Sequence, residues 1–130
     1  MTMDREAILA SDDLPTEVLD VPEWGGKIRV RSLTGQERDL YEQSITKRRG
    51  MNVEMNLLNA RAKLVVLTVV DDQGQRIFSD DDVHEVGKKS AQALNRIFLV
   101  AQRLSGLTDE DVDELVVGLG DGPAEGPSSD

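Results

Sequence analysis

Residues 53–70 are the most apolar part of the chain, and any fold it adopts must bury them. Met55, Leu58, Ala62, Val65 and Val69 recur at helical spacing, with Leu57, Leu64 and Leu67 widening the stripe, which predicts a central helix nearly surrounded by the other elements. The last turn is ambiguous. Val65, Val66, Thr68, Val69 and Val70 are dense in β-branched side chains that suit a strand equally well, and periodicity does not choose between the two. The longest apolar run, 64–70, includes Thr68 and falls far short of the roughly 20 residues of a membrane span, so it reads as core. The 130 residues provide material for one domain. Aromatics are only 3%, so its core must be aliphatic, a composition that favours helices.

The flanking sequence supplies elements to cover that segment. Residues 16–33 read as a hairpin: Val18, Asp20 and Pro22 lead into Glu23-Trp24-Gly25-Gly26, after which Lys27-Ile28-Arg29-Val30-Arg31 alternates with period two. Gly25-Gly26 supplies the positive φ of a tight turn. Thr34-Gly35-Gln36-Glu37 has capping-box form, so a helix begins there. Leu40, Tyr41, Ser44, Ile45 and Arg48 continue it, ending in Lys47-Arg48-Arg49, cations that suit a helix C-terminus. Asp71-Asp72-Gln73-Gly74 is a turn, Arg76-Ile77-Phe78 a short extended stretch, and Ser79-Asp80-Asp81-Asp82 opens a short helix to about Lys88. Ser90 caps the clearest amphipathic helix, with Ala91, Leu94, Ile97, Phe98, Ala101 and Leu104 on one face up to Gly106. Thr108-Asp109-Glu110-Asp111 begins a last helix through Val117. The expected architecture is α+β and mostly helical: a small N-terminal β-hairpin, then a bundle of about four to five helices, over residues 16–117. Residues 1–15 form a partly flexible N-terminal segment, and residues 118–130 a disordered Gly/Pro/Ser-rich acidic tail.

Little in the sequence carries chemistry. Without cysteine there is no disulfide, thiolate zinc site or cysteine nucleophile, and the cytoplasm is the expected compartment. His84 is the single histidine, so paired-imidazole sites are impossible. The acidic runs fail the calcium-loop pattern, since position 6 counted from Asp71 is Arg76 and from Asp109 is Glu114. Gly118, Gly120 and Gly122 follow an expected helix and run into Pro123, leaving no helix N-terminus to hold a phosphate. The expectation is a non-catalytic protein with no cofactor and no metal. The net charge of −10 is uneven: residues 1–108 hold 15 basic and 17 acidic side chains, residues 109–130 none and 8. Such a balance disfavours nucleic acid and anionic membranes as partners.

The order of several short motifs resembles a known family. Asp13-Leu14-Pro15-Thr16, Val21-Pro22-Glu23-Trp24-Gly25-Gly26, Val30-Arg31-Ser32-Leu33-Thr34-Gly35 and Ala60-Arg61-Ala62-Lys63-Leu64-Val65 are similar to the tail assembly chaperones of long-tailed bacteriophages and prophages. Val69-Val70-Asp71-Asp72-Gln73-Gly74, Phe78-Ser79-Asp80 and Val100-Ala101-Gln102-Arg103-Leu104-Ser105-Gly106-Leu107 resemble the family's second half, so the likeness covers about residues 6–117. It implies a protein in the host bacterial cytoplasm that binds and solubilises the tape measure protein and is absent from the mature virion. It also implies a possible longer product, made by frameshifting, that recruits the tail tube protein. Self-association is expected as well. The candidate partner-binding residues are Trp24, Tyr41, Leu115 and Val116, each with a core role as its alternative. Two other readings are a virion head-tail connector component and an acidic regulatory protein that binds a basic host protein.

Overall fold

The computed structural model describes residues 1–49, 52–55 and 59–107. Thr16–Val21 (β1) and Gly26–Arg31 (β2) pair antiparallel from Thr16 opposite Arg31 to Val21 opposite Gly26, the expected hairpin. Its turn is a single 3₁₀ turn, Pro22–Trp24, closed by Gly25 at φ 81°. Gly25 alone takes a positive φ there, and Gly26 already belongs to the strand. Arg5–Ala10 (α1) precedes the hairpin, is capped by the Asp4 carboxylate, and buries no side chain.

The capping box forms as the sequence predicts: the Glu37 N–H donates to Thr34 Oγ1 and the Thr34 N–H to Glu37 Oε1, both at 3.0 Å. The helix it opens, Gly35–Ser44 (α2), is shorter than expected. Thr46–Arg49 (β3) is a strand, paired antiparallel with Asn52–Met55 (β4), so Lys47-Arg48-Arg49 does not sit at a helix C-terminus. At its end the Ser44 hydroxyl donates to the Tyr41 carbonyl at 2.7 Å, and the Ile45 N–H makes the last helical bond to the same carbonyl before β3. The predicted helix over residues 53–70 is likewise cut at both ends. Its start is β4. The helix proper is Ala60–Thr68 (α3), preceded by Asn59 in the left-handed region at φ 61°, which a continuous helix does not pass through. Val69–Val70 (β5) resolves the ambiguous last turn as strand and adds to β2, making a three-stranded antiparallel sheet in the order β1-β2-β5.

After a turn at 71–74, Arg76 bridges back to Val70, and a 3₁₀ turn at Asp80–Asp82 leads into Val83–Val86 (α4). Ser90 caps Ala91–Leu104 (α5) through the Ala93 N–H. The expected helix from Thr108 to Val117 and the tail from Gly118 lie outside the described residues.

The core runs from the sheet (Val21, Val30) through the wholly buried Leu64, Val65, Val66 and Val69 to Ala93, Ile97 and Ala101 of α5. α3 packs between α5 and α4 as the central element the composition demands. Thr68, its one fully buried polar side chain, donates to the Leu64 carbonyl at 2.7 Å. Arg31, at the end of β2, locks three elements together. Its Nη2 reaches Glu37 Oε1 at 2.8 Å, Glu37 Oε2 at 2.9 Å and the Leu67 carbonyl at 3.0 Å.

Replacing Arg31 alone strands a largely buried carboxylate and a carbonyl, so Arg31→Met should lower the urea-unfolding free energy by about 3 kcal/mol. Adding Glu37→Gln, which still caps α2 but carries no charge, should recover at least about 1 kcal/mol of that loss. An unchanged double variant would show that the ion pair is not what matters there.

Candidate partner-binding surface

The segment from Arg76 to Val86 is held rigidly by its own polar groups. Arg76 Nε donates to the Val66 carbonyl at 3.1 Å and its Nη2 to Asp80 at 2.9 Å, fixing the entry to the segment against α3. The Asp82 carboxylate accepts from the Ser79 N–H at 2.8 Å, so the acidic run caps a turn. Among the described residues no group of three or more His, Cys, Asp or Glu is placed to hold a metal ion.

A groove lies on each side of this segment. On one side Trp24, Phe78 and Val86 line an apolar groove of about 290 Å³, with Asp82, Glu85 and Lys89 alongside. On the other, Leu40, Tyr41, Val66, Leu67 and Val83 line one of about 230 Å³, with Lys63 and Asp80 beside them. Leu40, in the second groove, and Ile77, in the segment itself, are each 53% exposed.

The hairpin turn is aimed into this surface by charge. Glu23 receives two bonds from the Arg96 guanidinium, both at 2.8 Å, which tie the Pro22–Trp24 turn to α5 and set Trp24 beside Phe78. Those Arg96 hydrogen bonds, helped by a backbone hydrogen bond within Glu23, hold its carboxyl down at about 2 against an ordinary 4.5. Trp24 packs half-buried on the core, and its Nε1 is enclosed without a hydrogen-bond partner. An indole N–H in that state costs free energy that a firmly pinned turn can sustain.

Of the residues singled out in the sequence, Trp24 thus lines a groove while resting on the core. Tyr41, 7% exposed, belongs to the core and also lines the second groove. Burial pushes its phenol up to about 12, with Arg61 pulling slightly the other way. Leu115 and Val116 lie outside the described residues. Leu40, grouped with Tyr41 in the helical spacing of the sequence, is exposed where Tyr41 is buried. The sequence pattern does not mark Phe78 and Val86 as neighbours of Trp24, because only the path of the segment after the 71–74 turn brings them beside it. A second unpartnered apolar feature is α1, with Ile8 and Leu9 both exposed. No helix of the described residues is long and apolar enough to cross a membrane.

A family model described as phage tail assembly chaperone matches residues 5–115. Among solved structures, the bacteriophage HK97 tail assembly chaperone superposes with a TM-score of 0.56 at 21% identity, covering 76% of this chain and 94% of that one; at this identity the likeness is one of fold. No curated protein matches.

The depressed carboxyl of Glu23 gives a pH signature. Because its folded value lies below the ordinary one, the stabilisation is complete at neutral pH and is lost as pH falls from about 4.5 through about 2. NMR titration should therefore find a midpoint near the acid limit in the native chain and a return to the usual carboxylate range in Arg96→Gln. An unshifted Glu23 in the native chain would mean that the turn is not pinned by this pair.

Proposed function

Because the chain belongs to the phage tail assembly chaperone family, we propose that it binds the tape measure protein during tail assembly and keeps it soluble until tube subunits enclose it. The observation that carries this reading is the apolar surface on both sides of the 76–86 segment, joined to a body whose polar side chains serve the fold. A tape measure protein is a long helical chain with extended apolar faces, and helix faces are bound in grooves of this character. Trp24 and Phe78 offer one anchoring point; Leu40, Leu67 and Val83 offer another.

The role is non-catalytic and is exercised in the host bacterial cytoplasm, with protein rather than nucleic acid or membrane as partner. Self-association would multiply the apolar surface offered to a partner of that length. A longer product made by frameshifting would add the contact to the tail tube protein. The acidic residues beyond 108 would keep a loaded complex dispersed.

Co-expression with the tape measure protein tests this. The native chain should bring it into the soluble fraction and co-purify with it. Leu40→Asp/Ile77→Asp, both at exposed positions, should leave the melting temperature within a few degrees while reducing co-purification about ten-fold, the equivalent of roughly 1.4 kcal/mol of binding. Undiminished capture by that variant would move the interface elsewhere. Abundance of the chain in finished virions would overturn the chaperone reading in favour of a structural role.

A further inference from the structure

One helix of the fold contributes nothing to the core. α1 has six residues and both of its ends are tied off: the Asp4 carboxylate accepts from the Ala7 N–H at 2.9 Å, and the Ser11 hydroxyl donates to the Ile8 carbonyl at 2.7 Å. It buries no side chain, and Ile8 and Leu9 stand 54% and 67% exposed. A helix this short draws its stability from packing a face against something else, since propensity alone does not hold one turn and a half in water. α1 is therefore an apolar plug whose socket its own core does not supply. Its flanks are acidic, because residues 1–15 hold Asp4, Glu6, Asp12 and Asp13 against Arg5.

Charge separates the grooves that could receive it. The groove beside Trp24 carries Asp82 and Glu85, and the groove beside Leu40 carries Asp80. A third, of about 580 Å³, lies between the N-terminal turns of α3 and α5, with an apolar lining of Ala60, Ala62, Ala91 and Leu94. Its charged lining is Arg61 and Lys89, with no carboxylate. The Arg61 guanidinium is held in place, since Nε donates to Asn95 Oδ1 at 2.9 Å and the group lies 5.5 Å from the Phe98 ring centroid. Carboxylates in the first two grooves oppose an acidic segment, whereas the third attracts it.

We propose that α1 of one molecule docks in the α3–α5 groove of a second copy, with Ile8 and Leu9 on the alanine floor and Asp12 and Asp13 toward Arg61 and Lys89. Helix and groove are different surfaces, so each docked molecule still offers one of them. Copies then add head to tail, into an open chain or a closed ring, and do not stop at a two-fold dimer. This assigns surfaces to the self-association proposed above and rests on that part of the functional reading. It is independent of tape measure capture, which belongs to the face around residues 76–86.

The chain has no cysteine, which makes the test direct. Two single-cysteine variants of the full-length chain, Ala10→Cys and Gln92→Cys, are mixed with no other protein present and treated with a short bis-maleimide. They should form the mixed dimer about ten-fold faster than Ala10→Cys mixed with Gln73→Cys, whose cysteine lies on the 71–74 turn, because docking raises the local concentration of one thiol at the other. Arg61→Glu/Lys89→Glu in the Gln92→Cys partner should abolish the advantage. Asp12→Lys/Asp13→Lys in the Ala10→Cys partner should then restore it, a rescue that a misfolded variant cannot give. In sedimentation the native mass should rise with concentration. Ile8→Asp/Leu9→Asp, at positions that bury nothing in their own chain, should stay monomeric with an unchanged melting temperature. Equal rates for the two mixtures, faster coupling of Ala10→Cys to itself, or failure of the charge swap would overturn the proposal. So would a native chain that is monomeric at every concentration, or an Ile8→Asp/Leu9→Asp variant that still associates. Cross-linking within single molecules of Ala10→Cys/Gln92→Cys would overturn it by giving the groove to the chain's own helix. Each of these outcomes is read without the tape measure protein, so failure here leaves its capture to be judged by co-expression.

Discussion

The contact on which the other elements depend is the Arg31 guanidinium, only 13% exposed, against Glu37 and the Leu67 carbonyl. A carboxylate this enclosed is tolerable only with a charged partner in hydrogen-bonding geometry. Here the same carboxylate also caps α2, so one residue fixes where the helix starts and where the sheet ends. Leu67 lies one residue from the end of α3, where the chain passes from helix directly into β5. The interaction therefore holds the junction at which the buried segment changes from helical to extended and joins β2. Arg31 does all this through Nη2, and its Nε is buried without a partner, so geometry rather than full satisfaction sets the arrangement.

What the sequence revealed follows the range of the interactions concerned. The capping box at Thr34, the Ser90 cap and the Pro22–Gly25 turn are decided by residues within four positions of one another, and each lies where the sequence puts it. The strands β3, β4 and β5 are decided by pairing with distant backbone. Residues 46–49 and 52–55 offer side chains compatible with either structure, so helical spacing continued through them on paper. Val69 and Val70 were ambiguous for the same reason, and β2 made the choice. The surface divides similarly. Trp24 stood out by residue type, but its neighbours Phe78 and Val86 come from 54 and 62 positions further on and carry no local mark.

Six carboxylates of the described residues are committed to structure. Asp4, Glu37 and Asp82 cap helical turns, Asp71 accepts from the Gln73 and Gln75 amides, and Glu17 and Glu23 tie the hairpin to Arg103 and Arg96 of α5. The hairpin is thus fastened to α5 at both ends, by Glu17 in β1 and by Glu23 in the turn, while its apolar face packs inward. Polar groups spent this way rigidify a framework, and apolar groups left over at its surface are what remain for recognition.

Charge is sorted along the chain as well as in space, and the two patterns bear on each other. With no acid in α3 or α5, those helices form a positive centre whose cations reach outward to Glu17, Glu23 and the Ser44 carbonyl. Acids placed within either helix would have repelled the carboxylates that anchor the hairpin, so the sorting has a local cause in the fold.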